Sequence, residues 1–218
     1  MTHKGPKGGN YTMKSKNDKL KAVKQAIKNL EKQTKTEGIV QILGEEEERV
    51  IETTPSGSLM LDIALGNGGV PKGRVIELFG GESSGKTLIS TRMIAEVQKL
   101  GGLCALIDAE NSFDPSFARK LGLNPDELIV SQPQTMEQSL TVMDGLIDSG
   151  AIDMIVLDSV AALVPQAELD GEIGKATMAL QARIMSPFLR RIIGKAAKTG
   201  CSCVFINQVR DAVGQKIA

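Results

Sequence analysis

A chain of 218 residues with 41% hydrophobic content has room for one ordinary domain and a core, and with 3% aromatics and no Trp that core must be built from Val, Ile, Leu, Ala and Met. Basic and acidic residues balance at 26 each, so net charge singles out no polyanionic or polycationic partner. The three cysteines (Cys104, Cys201, Cys203) have no C-x-x-C spacing, which argues against a disulfide framework or a zinc site. No run is long and apolar enough to span a bilayer and the N-terminus has no h-region, so the expectation is a cytoplasmic protein without a membrane partner.

Residues 1–17 are rich in Gly, Lys, Asn and Ser and read as a disordered basic tail; residues 1–36 hold ten Lys against Asp18 and Glu31. Such an arm can touch nucleic acid, or it can be a solvated lysine-rich helix face. Residues 18–47 read as a small unit of one helix and one strand. Asp18 can cap the helix, and Leu20, Val23, Ala26, Ile27 and Leu30 recur at spacings of three and four. Gly38 ends it, and Ile39–Leu43 is the strand candidate before the acidic run Glu45–Glu48. A lone helix and strand bury little, so the unit must pack on the core or on a second copy. Thr53–Gly57 looks like a connector, Leu59–Leu65 a helix, and Gly66–Gly73 a loop.

From Arg74 onward, 48–218 being the expected core, strands and helices alternate. The expected strands are Arg74–Phe79, Leu103–Ile107, Leu128–Val130, Met154–Leu157 and Cys203–Ile206; the expected helices are Leu88–Leu100, Pro115–Leu121, Met136–Ile147 and Thr177–Lys198. Apolar runs without alternation indicate strands buried on both faces. The fold class is therefore α/β, a doubly wound and mostly parallel sheet preceded by the helix–strand unit.

The first strand runs into Gly80-Gly81-Glu82-Ser83-Ser84-Gly85-Lys86-Thr87, the spacing G-x-x-x-x-G-K-[ST] of a phosphate-binding P-loop, and a helix follows. The glycines let successive N–H groups face one concavity, the helix start adds its positive end, Lys86 can reach the outer phosphates, and the Thr87 hydroxyl can ligate Mg²⁺. In such sheets ligands bind beyond the carboxyl ends of the strands. Asp158, directly after Met154–Leu157, suits the Mg²⁺ shell. Asp108 and Glu110 follow Leu103–Ile107, and one of them can orient or deprotonate an attacking water. Gln208 can donate to a γ-phosphate and report its presence. Asp108 and Asp114 can equally be helix caps, and Gln208 can simply solvate a strand end. Four polar strand ends with a P-loop favour nucleotide hydrolysis over passive binding.

On the motifs Gly80–Thr87, Ile107–Asn111, Leu157–Leu163, Glu168–Gly174 and Phe205–Arg210, the chain from about Asp18 onward resembles the bacterial RecA recombinases. That resemblance implies an ATP- and Mg²⁺-dependent protein that forms helical filaments on single-stranded DNA through residues 18–43. It also implies pairing with a homologous duplex, strand exchange in recombination and repair, and an SOS response through self-cleavage of a LexA-type repressor. Residue by residue, it implies that Glu110 activates water, Asp158 lies on the Mg²⁺ side, Gln208 senses the γ-phosphate, and Asp114 and Phe117 contact adenine, Phe117 standing where Tyr is usual. It likens Pro165–Thr177 to the first DNA-binding loop, with Met178, Arg183, Ser186, Arg190 and Arg210 toward DNA. Arg191 is a further basic residue there.

Gly81 departs from the Pro usual in the family, and Pro187 falls inside an expected helix, where it removes a hydrogen bond and favours a kink. The family pattern continues past Ala218, which implies a fragment that stops at the second DNA-binding loop, with weak nucleotide binding and no strand exchange. The alternatives are a related P-loop ATPase, such as a hexameric helicase or a clock-type ATPase, and a truncated form that caps a partner filament without catalysis. Glu168–Gly174 speaks against a helicase.

Overall fold

Whether the apolar runs lie side by side decides whether their polar ends converge, and they do. The computed structural model describes residues 15–40, 42, 51–171 and 180–209. The chain divides into two units, Met1–Val50 and Ile51–Ala218.

In the first unit, helix α1 spans Lys16–Thr34. Its cap is Ser15 rather than Asp18: the Asp18 N–H donates to Ser15 Oγ at 3.2 Å, and the Ser15 hydroxyl donates back to the Asp18 carboxylate at 2.8 Å. An acid in the first turn also suits the helix dipole. No residue of α1 is buried, and Leu20, Val23 and Leu30 are exposed. The helix closes on Lys35 in the left-handed region, φ 52°. Of the strand expected at 39–43, Ile39 and Val40 form a bend and Gln41 and Leu43 lie outside the described residues.

In the second unit the connector and loop around α2 (Leu59–Leu65) hold a feature that periodicity could not show. Strand β1 (Thr53–Thr54) pairs antiparallel with β2 (Val70–Pro71). The main sheet contains β3 (Val75–Gly80), β4 (Cys104–Asp108), β5 (Leu128–Ser131), β6 (Met154–Asp158) and β7 (Ser202–Gln208) in the order β3-β7-β6-β4-β5, every pairing parallel. Helices α3 (Lys86–Lys99), α4 (Pro115–Lys120), α5 (Met136–Asp148), α6 (Gln166–Leu169) and α7 (Leu180–Thr199) connect them.

The strand side chains alternate between two cores. Ala105, Ile107, Ile155, Leu157, Cys203 and Phe205 pack with Leu140, Met143 and Ile147 of α5 and Phe188 and Ile192 of α7. Cys104, Leu106, Met154, Val156, Val204 and Ile206 pack with Met93, Ile94 and Val97 of α3. Both faces of the sheet are thus covered, which is why its strands read as unbroken apolar runs. Helix α7 continues through Pro187, which lies between the buried Met185 and Phe188. Outside the cores, Lys195 bridges Asp144 at 2.8 Å and Asp148 at 2.7 Å, tying α7 to α5.

All three cysteines are buried and free. Burial, with a smaller contribution from Asp153, pushes the Cys104 thiol up to about 12. The hydrogen bond with Cys203 raises Cys201 first, and burial adds to it. A thiol whose folded pKa is raised contributes stability that is complete below the unfolded value of about 8.5 and fades as pH rises toward the folded value. Ellman's reagent at pH 8 is therefore expected to leave the folded chain unlabelled and to label all three thiols in urea.

Candidate nucleotide-binding site

Strand register assembles the site. Gly80 at the end of β3 stands opposite Gln208 of β7, and Asp108 at the end of β4 stands opposite Asp158 of β6. Beyond these ends lies a cavity of about 440 Å³ lined by the loop Glu82–Ser84, by Gly85–Leu88, and by Glu110, Asp158, Ile206 and Gln208. Gly85 takes φ 89°, a left-handed value that a side chain would disfavour, and it opens α3 without any side-chain cap. The first N–H groups of α3 are left for a ligand, with the positive end of its dipole behind them. Ser83 is also left-handed, φ 54°, a strained choice for a residue with a Cβ.

Lys86 Nζ donates to the carbonyl oxygens of Gly80 at 3.0 Å and Gly81 at 2.7 Å, which folds the ammonium over the loop. The Thr87 hydroxyl donates to Asp158 Oδ2 at 2.7 Å. Burial is the main force that lifts the Asp158 carboxyl above its usual range; the charges of Glu110 and Asp108 add to it, while the Thr87 hydrogen bond and Lys86 oppose it. A buried carboxylate in excess of its counter-charge is a place where a cation is favourable. Hydroxyl and carboxylate are the hard oxygens that Mg²⁺ prefers. Among the described residues no group of three His, Cys, Asp or Glu could hold a metal by itself, so an ion here would also need phosphate and water oxygens.

Of the two acids at the end of β4 and just beyond it, only Glu110 lines the cavity; Asp108 is 1% exposed. Glu110 Oε1 accepts a hydrogen bond from the Ser159 hydroxyl at 2.5 Å. Ser159 was not a sequence candidate, and its one signal was position, directly after a strand-end acid. Gln208 is the last residue of β7, two beyond the expected strand end, and lines the same cavity.

Known proteins resemble this chain over most of its length. A family model described as the RecA N-terminal domain matches residues 21–217. The chain belongs to the RecA family. It is 56% identical over 197 residues to Protein RecA of Rickettsia bellii, covering 90% of this chain and 57% of that protein. It is 54% identical over 197 residues to Protein RecA of Enterococcus faecalis, with 90% and 56% covered. The chain thus spans little more than half the length of these curated RecA relatives.

Of the other expected site residues of this RecA-family chain, Asp114, Phe117, Arg183, Ser186 and Arg190 are described, and none of them lines the cavity. Asp114 caps α4, its carboxylate accepting from the N–H groups of Ser116 at 2.8 Å and Phe117 at 3.2 Å, and Phe117 is exposed. Neither is among the residues that line the cavity. On α7, Arg183, Ser186 and Arg190 are exposed on the side opposite the buried stripe Met185, Phe188, Ile192 and Ala196. Arg190 donates to the Ser186 hydroxyl at 3.1 Å, which orders this edge. Arg191 points elsewhere, to Asp144 at 3.3 Å and over the Phe188 ring. Met178 and Arg210 lie outside the described residues. No described helix is long and apolar enough to cross a membrane.

Proposed function

We propose that this chain is the nucleotide-handling part of a RecA-type recombinase, an ATPase that assembles on single-stranded DNA and pairs it with homologous duplex DNA. The observation that carries the reading is the meeting, in one cavity, of the P-loop, Thr87 bound to Asp158 at 2.7 Å, Glu110, and Gln208. The α3 amide groups and Lys86 bind and orient the phosphates. Thr87 and Asp158 would hold Mg²⁺, which when bound neutralises charge developing on the phosphate oxygens. Glu110 holds the attacking water and takes its proton. Gln208 donates to the terminal phosphate and, as the final residue of β7, passes its presence to the chain that follows.

The same reading assigns Asp114 and Phe117 to the adenine. It assigns Met178, Arg183, Ser186, Arg190 and Arg210 to DNA, where contacts with phosphates suit a protein that must accept any sequence. Residues 18–47 are assigned to self-association: a helix with no buried residue and an exposed apolar face needs a second copy to cover it. Family membership further supports roles in recombination and repair, in an SOS response through a LexA-type repressor, and in the cytoplasm.

The test is phosphate release from ATP with and without single-stranded DNA, on this chain and on one extended to the length of its relatives. Turnover stimulated by DNA in the longer chain and abolished by Lys86→Ala is the expected result. Turnover indifferent to DNA would sink the recombinase reading, and longer filaments capped on addition of this chain would favour a regulatory form.

A further inference from the structure

We infer that Asp108 is a positioning residue, the buried anchor that holds the Glu110 loop in place, and that Gln132 secures it. The catalytic part of this inference rests on the ATPase reading above; the structural part does not.

The chain leaves β4 at Asp108 and must present Glu110 to the cavity within two residues. Two ties fix the start of that turn: the N–H groups of Ala109 and Glu110 donate to the Asp158 carbonyl at 2.7 and 3.3 Å. The turn then passes through Asn111 in the left-handed region, φ 52°. Asn tolerates that region better than most residues, and favourable contacts nearby hold it there. Asp108 supplies them. Its Oδ1 accepts from the Ser112 N–H at 3.1 Å, and its Oδ2 accepts from the Phe113 N–H at 3.2 Å and from Gln132 Nε2 at 3.0 Å. A carboxylate that collects three donors stands in the interior of its own loop, closing it from the inside. Gln132 directly follows β5, the strand beside β4, so the far side of the clasp is also tied to the sheet. Asp108 is too enclosed to serve as the base, and its chemistry, a pure acceptor facing three N–H donors, is that of a clasp.

Asp108→Asn is a sharp probe because it keeps the shape and replaces one acceptor oxygen by a donor. Either orientation of the amide sets N–H against N–H. In Asp108→Asn, amide exchange at Ser112 and Phe113 is expected to accelerate by about 100-fold, with Cys104 to Ile107 unchanged. Gln132→Ala, which removes one of the three donors and leaves the carboxylate in place, is expected to accelerate Phe113 by about 10-fold. Turnover of ATP should fall by about 100-fold in Asp108→Asn, as a displaced catalytic group requires, while the affinity for a fluorescent ADP stays within about twofold.

Unchanged exchange at Ser112 and Phe113 in both variants overturns the anchor, and so does loosened exchange with full turnover. If Asp108→Asn does not fold, Gln132→Ala decides by the same exchange measurement. Nucleotide binding without turnover under any condition, in the chain extended to the length of its relatives, counts against the ATPase reading alone, and exchange still decides the anchor.

Discussion

Glu110→Gln is expected to reduce ATP turnover by about a thousandfold, within the range spanned by loss of a general base, while nucleotide affinity changes by no more than about twofold. The substitution is nearly isosteric, and the Gln carbonyl can still accept the Ser159 hydroxyl that now bonds Glu110 at 2.5 Å. What it cannot do is take a proton from water. Glu110 contributes no contact to the P-loop amide groups, so binding and chemistry should separate cleanly. Phosphate release and titration of a fluorescent nucleotide measure the two quantities. A parallel loss of both would mean that Glu110 maintains the shape of the cavity and that another group activates the water.

The largest loss of stability is expected at a residue that does not line the cavity, Gly69. A Cβ there would press into the carbonyl oxygen of Thr54 and lie 2.8 Å from its carbonyl carbon and 3.1 Å from the nitrogen of Pro55. These are backbone atoms, so no rotamer change relieves the clash. Thr54 is buried and its register with Val70 fixes the small antiparallel ladder. Gly69→Ala should therefore cost about 3 kcal/mol, the scale of overpacking in a site that cannot yield. For a chain of this size that lowers the melting temperature by about 10 °C. Gly81→Ala is the control: a Cβ there meets nothing within 4 Å, and the change should stay within about 0.5 kcal/mol. Equal effects of the two would rule out the clash as the cause.

The large elements were legible because burial on both sheet faces leaves a compositional trace. Met154–Leu157 and Cys203–Ile206 had no other reasonable reading, and the strand–loop–helix spacing around Lys86 left one chemistry for the loop. The two-residue strands β1 and β2 left no trace, since alternation needs more positions than they have. Roles were harder than places. Asp108, Glu110, Asp114 and Asp158 are four acids near strand ends and loops, yet one is buried as an anchor, one lines the cavity and bonds Ser159, one caps a helix, and one bonds Thr87. Residue type does not separate these; solvent exposure and the identity of the donor do, and both arise only when distant segments meet. The helix start at Ser15 shows the same limit at short range, where two residues three apart can each cap and the backbone selects one.

Strand β3 carries the phosphate loop, and among the described strands it pairs on one side only, with β7. Its residues are half-buried or exposed, with Phe79 70% exposed, whereas β4 and β6 are buried throughout. Elements flanked on one side occupy the low end of the range of local opening free energies. A ligand that grips only the closed form makes opening costlier, by about 2.7 kcal/mol at a hundredfold excess over Kd. An edge seam of the sheet is thus one that nucleotide occupancy would weld, so the grip on phosphate and the cohesion of this margin are two readings of a single equilibrium.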